Sequence, residues 1–107
     1  MLWFVLLYKA GQKYGEIIVS DHKRRERLRF RSWHRGLREM DLIMGSFADA
    51  NLSDFNDTQL DAYEAILECA DLDVFNWIIG KVPVPETFCN DVTQKLMAHH
   101  FAHKQAH

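Results

Sequence analysis

Four groups of side chains have the types and spacing that chemistry requires. Asp61, Glu64 and Glu68 recur at helical intervals, and carboxylates so placed can collect a metal ion or divide acid and base roles. His99, His103 and His107 recur every four residues with His100 among them, and two imidazoles on one helical turn can bind zinc. Cys69 and Cys89 are candidate nucleophiles or disulfide partners. The fourth group, Arg35-Gly36-Leu37-Arg38-Glu39, sets two guanidinium groups and a carboxylate around a glycine.

The first three groups have plainer readings, and these are the expectation. Carboxylates at helical spacing opposite an apolar stripe form a solvated face. No cysteine or carboxylate completes a tetrahedral set beside the histidines, which read as a fraying terminus. The cysteines lie twenty residues apart with no C-x-x-C pattern, so they are expected to be free thiols in a reducing compartment. No serine or cysteine has an evident base, and no glycine-rich phosphate loop is present. Enzymatic function is therefore disfavoured, and no metal or stably held cofactor is expected.

The fourth group resists an explanation by stability. Arg35 and Glu39, four residues apart on a helix expected from Gly36, would form a surface pair contributing only a few tenths of a kcal/mol, on the order of 0.3. Glycine in a first turn costs roughly 1 kcal/mol against alanine. Gly36 therefore marks a boundary or a place where another backbone comes close.

The elements that must position these residues follow from periodicity. A basic helix is expected from Lys23 with Leu28 and Trp33 inward, although the alternation Leu28-Arg29-Phe30-Arg31 also fits a strand. A second helix runs from Gly36 to Asn51 on Leu37, Met40, Ile43, Met44 and Phe47, interrupted by Gly45. Asn56 and Gln59 form a capping box, with Phe55 and Leu60 as its staple, and open a third helix striped by Leu60, Tyr63, Ile66 and Leu67. Asp71 is expected to cap a fourth helix, Leu72 to Ile79, closed by Gly80. Val82-Pro83-Val84-Pro85 is an extended link, and Pro85-Glu86 is expected to open a last helix on Phe88, Val92, Leu96 and His100.

A chain of 107 residues forms one domain, and its composition, 48% hydrophobic and 26% charged, is that of a soluble globular protein. Nothing forces an oligomer, so a monomer is expected. The net charge of −2 conceals segregation: basic residues crowd 23–38, whereas from Glu39 to Asp91 the only basic residue is Lys81. Such polarity can steer a partner or hold one part of the fold against another. The acidic body would repel a polyanion, so nucleic-acid binding is disfavoured.

Leu2-Trp3-Phe4-Val5-Leu6-Leu7 has no basic residue ahead of it and no small-residue cleavage site behind, so it does not read as a secretory signal. It is far short of the roughly 20 residues that cross a bilayer, and it lacks the arginine and serine of a mitochondrial presequence. Residues 1–22 are expected to be an appendage, a poorly ordered arm or a β-like strip. The helical domain is then 23–101, followed by a flexible tail, 102–107.

Several blocks together carry a resemblance. Arg35-Gly36-Leu37-Arg38-Glu39 with Met40-Asp41 is similar to the R-G-x-x-E signature of the succinate dehydrogenase assembly factor 2 family, the SdhE-like flavinylation factors. Leu67-Glu68-Cys69 with Asp71, Asp73 and Phe75-Asn76-Trp77 resembles its second block, and Pro83-Val84-Pro85-Glu86 with Phe88 resembles the link to its last helix. The blocks span about Arg24 to His100 in the family's order; the first twenty residues and the histidine tail lie outside it.

The resemblance implies an all-α fold, a small five-helix bundle, with an N-terminal extension foreign to the family. It implies a non-enzymatic assembly factor that binds the flavoprotein subunit of succinate dehydrogenase, and in bacteria sometimes of fumarate reductase, and promotes covalent attachment of FAD to that partner. The cofactor would stay with the partner, whose own autocatalytic flavinylation does the chemistry. Arg35, Gly36 and Glu39, extended to Arg38, would form the docking surface, with Phe75 and Trp77 mainly in the core. The expected compartment is the bacterial cytoplasm, or the mitochondrial matrix in a eukaryote. The alternative is a small helical interaction module that regulates another partner.

Overall fold

The computed structural model describes residues 13–105, with side chains described from His22 to His99. Five α-helices and two 3₁₀ turns make up its regular structure, and no strand occurs among the described residues. The helices are α1 (Lys13–Trp33), α2 (Arg38–Asn51), α3 (Asp57–Leu67), α4 (Asp71–Ile78) and α5 (Asp91–Gln105). The expected all-α bundle is therefore the fold. The strand alternative at Leu28 to Arg31 is overturned, because these residues lie inside α1. Helical backbone from Lys13 also replaces the β-like strip expected around Ile17 to Val19. The expectation for residues 1–12 lies outside the described residues, as do 106–107 of the expected tail.

Helices α1 and α2 form an antiparallel hairpin, and Gly45 explains how close they come. A Cβ at Gly45 would overlap the Trp33 indole. The glycine thus leaves α2 uninterrupted and makes room for an aromatic ring. Trp33 Nε1 donates to Asp49 Oδ1 at 3.4 Å, and Arg29 Nε lies 3.1 Å from the same oxygen. Farther along, Arg25 donates to Leu52 O at 2.9 Å and Phe55 O at 2.7 Å. Those carbonyls lie past the end of α2, where helical partners run out.

Helix α3 begins as expected. Asn56 Oδ1 accepts from Gln59 N at 2.8 Å, Gln59 Oε1 accepts from Asn56 N at 2.9 Å, and Phe55 and Leu60 are both buried. Leu60, Tyr63, Ile66 and Leu67 face the core. At its centre the Phe47 ring meets Tyr63 at 5.4 Å, Phe55 at 6.0 Å and His99 at 5.6 Å between centroids. Aromatic pairs of this kind contribute about 0.5–1.5 kcal/mol beyond the area they bury. Tyr63 carries a hydroxyl into this core, where it shares a 2.6 Å hydrogen bond with Ser32 Oγ and donates to Met44 O at 3.3 Å.

Three boundaries differ from expectation, each for a local reason. Helix α2 begins at Arg38 rather than Gly36, because Gly36 has φ +113° and cannot be helical. Helix α4 is capped by Ala70 without a side-chain bond; Asp71 is its first helical residue and uses its carboxylate elsewhere. The last helix begins at Asp91, not after Pro85, because Glu86–Phe88 is a separate 3₁₀ turn and Asn90 Oδ1 accepts from Thr93 N at 2.9 Å to cap the true start. Val92 and Leu96 are buried as expected. His99, rather than a free member of the tail, lies 2.9 Å from Ser46 Oγ through Nε2. The side chains of His100, His103 and His107 lie outside the described residues. Gly80, at φ +78°, ends α4 as foreseen, with Gly80 N donating to Trp77 O and Lys81 N to Asn76 O, the two bonds of a Schellman motif.

Candidate functional site

The turn between α1 and α2 is held from two sides. Helix α1 unravels at His34, whose Nδ1 lies 2.7 Å from Phe30 O. Gly36 then swings the chain through a positive φ that an L-residue rarely adopts, so that α2 can run back along α1. Leu37 precedes α2 without offering a cap, and Asp41 supplies the missing acceptor: its Oδ1 takes Arg35 N at 2.5 Å and Gly36 N at 3.3 Å. Glu39 and Asp41 also place negative charge at the positive end of the α2 dipole.

From the other side the Arg35 side chain reaches into the elbow between α3 and α4. Nε donates to Asp71 Oδ1 at 2.6 Å, Nη1 to Leu67 O at 2.6 Å and Nη2 to Cys69 O at 2.7 Å. The carbonyls belong to the end of α3, where partners and negative dipole charge are both available to a cation. The Arg35 side chain is only 8% exposed and that of Asp71 16%. The expected Arg35–Glu39 helical pair is therefore corrected: Arg35 lies in the turn before α2, and its ion-pair partner is Asp71.

The four residues singled out in the sequence thus adjoin one another, Arg35 and Gly36 in the turn and Arg38 and Glu39 at the start of α2, but have different surroundings. Arg35 points into the protein. Gly36, Arg38 and Glu39 are exposed, and the Arg38 and Glu39 side chains make no hydrogen bond or ion pair among the described residues. Apolar groups accompany them: Phe30, Leu37, Leu42 and Leu72 are all exposed. Phe30 stacks on His34 at 4.0 Å, and both line a shallow groove of about 350 Å³ with Arg35, Cys69 and Asp71. Burial, with Asp73 beside it, pushes the Cys69 thiol up, which argues against a thiolate nucleophile there. Both cysteines are free.

Asp41 and Asp71, which brace the turn, were not singled out for that role by sequence, nor were the exposed Phe30, Leu37 and Leu72. Asp41 carried a usable signal: an acidic residue in the first turn of a helix whose N-cap is a leucine. For Asp71 the signal is a register between helices, which no local pattern displays.

Comparison with known proteins places this turn in context. A model of the family described as flavinator of succinate dehydrogenase matches residues 26–100, from within α1 to within α5. The chain belongs to that family. Relatives include the mitochondrial succinate dehydrogenase assembly factor 2 of Dictyostelium discoideum, 44% identical over 88 residues, which are 82% of this chain and 62% of that protein. The FAD assembly factor SdhE of Acetobacter pasteurianus is 35% identical over 74 residues, 69% of this chain and 68% of that one. The mitochondrial assembly factor 2 of Candida glabrata is 36% identical over 81 residues, 72% of this chain and 53% of its own length. The chain thus spans between about half and two thirds of the length of these curated relatives. Among the described residues no helix is long and apolar enough to cross a membrane.

Proposed function

We propose that this chain docks on the flavoprotein subunit of succinate dehydrogenase through the turn Gly36 to Glu39 and promotes covalent attachment of FAD to that subunit. The observation that carries this reading is that a member of the flavinator family exposes Gly36, Arg38 and Glu39 on a turn braced from behind by Arg35 and Asp41. Gly36 offers clearance for a partner's backbone, and Arg38 and Glu39 offer charges with no claim on them among the described residues. The same surface serves fumarate reductase where that enzyme is present, and the factor acts as a monomer in the bacterial cytoplasm, or in the mitochondrial matrix of a eukaryote.

The chemistry belongs to the partner. Covalent attachment needs a histidine of the flavoprotein held against the isoalloxazine, and binding one conformer of the flavoprotein supplies that orientation without any reacting group from this chain. FAD itself remains with the flavoprotein.

The test is in-gel flavin fluorescence of the flavoprotein in cells whose only factor is a variant. Gly36→Arg is expected to lower covalent flavin at least roughly tenfold, the effect of about 1.4 kcal/mol of lost docking energy. Because Gly36→Arg also strains the turn, Arg38→Ala and Glu39→Ala accompany it; both sites are exposed and unpartnered among the described residues, so folding should be unchanged. Normal covalent flavin in all three strains would end the proposal.

A further inference from the structure

We propose that Asp71 is a positioning residue for docking: acting through Arg35, it holds the Gly36–Glu39 turn in the shape the flavoprotein recognises. The inference rests on the docking role proposed above and adds to it a residue from the elbow between α3 and α4. Three features separate Arg35–Asp71 from the other ion pairs of the bundle.

The first is burial. Among the arginine–carboxylate pairs described, the carboxylate side chains that hold Arg24, Arg29 and Arg31 are 41–72% exposed, whereas Asp71 is 16% exposed and Arg35 itself 8%. Exposed pairs exchange readily with water, whereas this one has little water to exchange with. The second is saturation. Nε, Nη1 and Nη2 of Arg35 each have their own acceptor, and two of these are backbone carbonyls fixed by the end of α3. The guanidinium therefore has one geometry, and Asp71 supplies its only anionic partner among the described residues. The third is position. Arg35 is the residue immediately before Gly36, and Asp71 Oδ2 lies 3.4 Å from where a Gly36 Cβ would stand.

Removing the Asp71 carboxylate leaves a cation with reduced solvation and no counter-charge, and the long side chain relieves this by swinging out to water. The turn then keeps only the Asp41 tether and samples other shapes. The apparent affinity for a partner that recognises one shape falls by the fraction of time that shape is occupied. Asp71 need not touch the flavoprotein to produce this effect.

The test compares purified full-length variants for binding to the flavoprotein subunit, measured well below their unfolding temperatures, together with amide exchange at Arg35 and Gly36 in the free protein. Asp71→Ala is expected to weaken binding roughly tenfold and to speed exchange of those two amides. Asp71→Asn, which keeps an oxygen acceptor for Nε but not the counter-charge, should recover only part of both. Val92→Ala, a core truncation in α5, should lower thermal stability yet leave affinity and those amides unchanged. Equal affinity losses in Asp71→Ala and Val92→Ala would reduce Asp71 to a general stabiliser and overturn the inference. Wild-type affinity in Asp71→Ala, with binding abolished in Gly36→Arg, would overturn it while sparing the docking site. Wild-type affinity in Gly36→Arg would instead overturn the docking reading on which it stands.

Discussion

Single atoms decide several properties of this protein. Thr93 is buried, and its Oγ1 has no hydrogen-bond partner among the described residues, whereas its backbone N–H is held by Asn90. Valine has the same shape without the stranded hydroxyl, so Thr93→Val should stabilise the domain by about 1 kcal/mol, a rise of roughly 4–8 °C in a thermal melt. A melt at or below the wild-type temperature would show that the hydroxyl has a partner. Tyr63 is the opposite case, a buried hydroxyl bonded to Ser32. Burial pushes its phenol well above the ordinary value of 10.0. The folded state therefore holds the proton longer than the unfolded chain does. Stability from this group is complete below that ordinary value and is lost as the pH rises beyond it toward the folded value. Tyr63→Phe should cost about 1 kcal/mol at neutral pH. It should also flatten the alkaline limb of a stability–pH curve obtained by urea unfolding; an unchanged limb would assign that limb to other groups.

At the scale of elements, the α1–α2 hairpin shows how a residue that looks unfavourable in a helix can be required there. Intrinsic propensity favours Gly45→Ala by roughly 1 kcal/mol. The Trp33 indole reverses the sign, because a methyl group at position 45 would enter the space the ring occupies. Overpacking of this kind costs about 1–3 kcal/mol, so Gly45→Ala should lower the midpoint of urea unfolding. In a Trp33→Ala background the same change should be neutral or stabilising. A cost that persists in both backgrounds would remove Trp33 as its cause. From sequence alone Gly45 reads as an interruption of α2 because propensity is local, whereas the reason for the glycine lies twelve residues away across the hairpin. The capping box at Asn56 was legible because both partners lie within one turn of chain. The start of α5 was misplaced for a related reason: Pro85 and Glu86 are good helix openers, but they open a single 3₁₀ turn before Asn90 caps the helix proper.

The whole molecule resolves the meaning of its charge segregation. Arg24 meets Asp61, Arg31 meets Glu68 and Arg35 meets Asp71, at sequence separations of 37, 37 and 36 residues. The near-constant offset means that α1 and α3 run in the same direction, with one basic stripe zipped onto one acidic stripe. The carboxylates read as a solvated face are at the surface, and they are also the partners of the basic helix. The first two pairs are largely exposed and should contribute about 0–1 kcal/mol each. Arg24→Gln and Arg31→Gln together should therefore change urea stability little, whereas Arg35→Gln alone, by stranding Asp71, should cost about 3–5 kcal/mol. Equal effects would contradict the burial seen at Arg35. In the sequence, the arginine spacings of seven and four were visible beside acidic spacings of seven and three. Nothing local indicated that the two ladders should be laid side by side. The family signature gave the location of the turn, but not that its arginine faces inward.

The sequence separation of 36 between Arg35 and Asp71 has a consequence during synthesis. When Arg35 to Glu39 first emerge from a ribosome, the α3 carbonyls and the α4 carboxylate that fix them have yet to be translated. The nascent chain carries Arg35 to Glu39 without the contacts that shape their turn, and it acquires those contacts only when α4 has followed. Under the docking role proposed above, a truncated or half-folded factor would display these residues without the shape the partner is proposed to recognise.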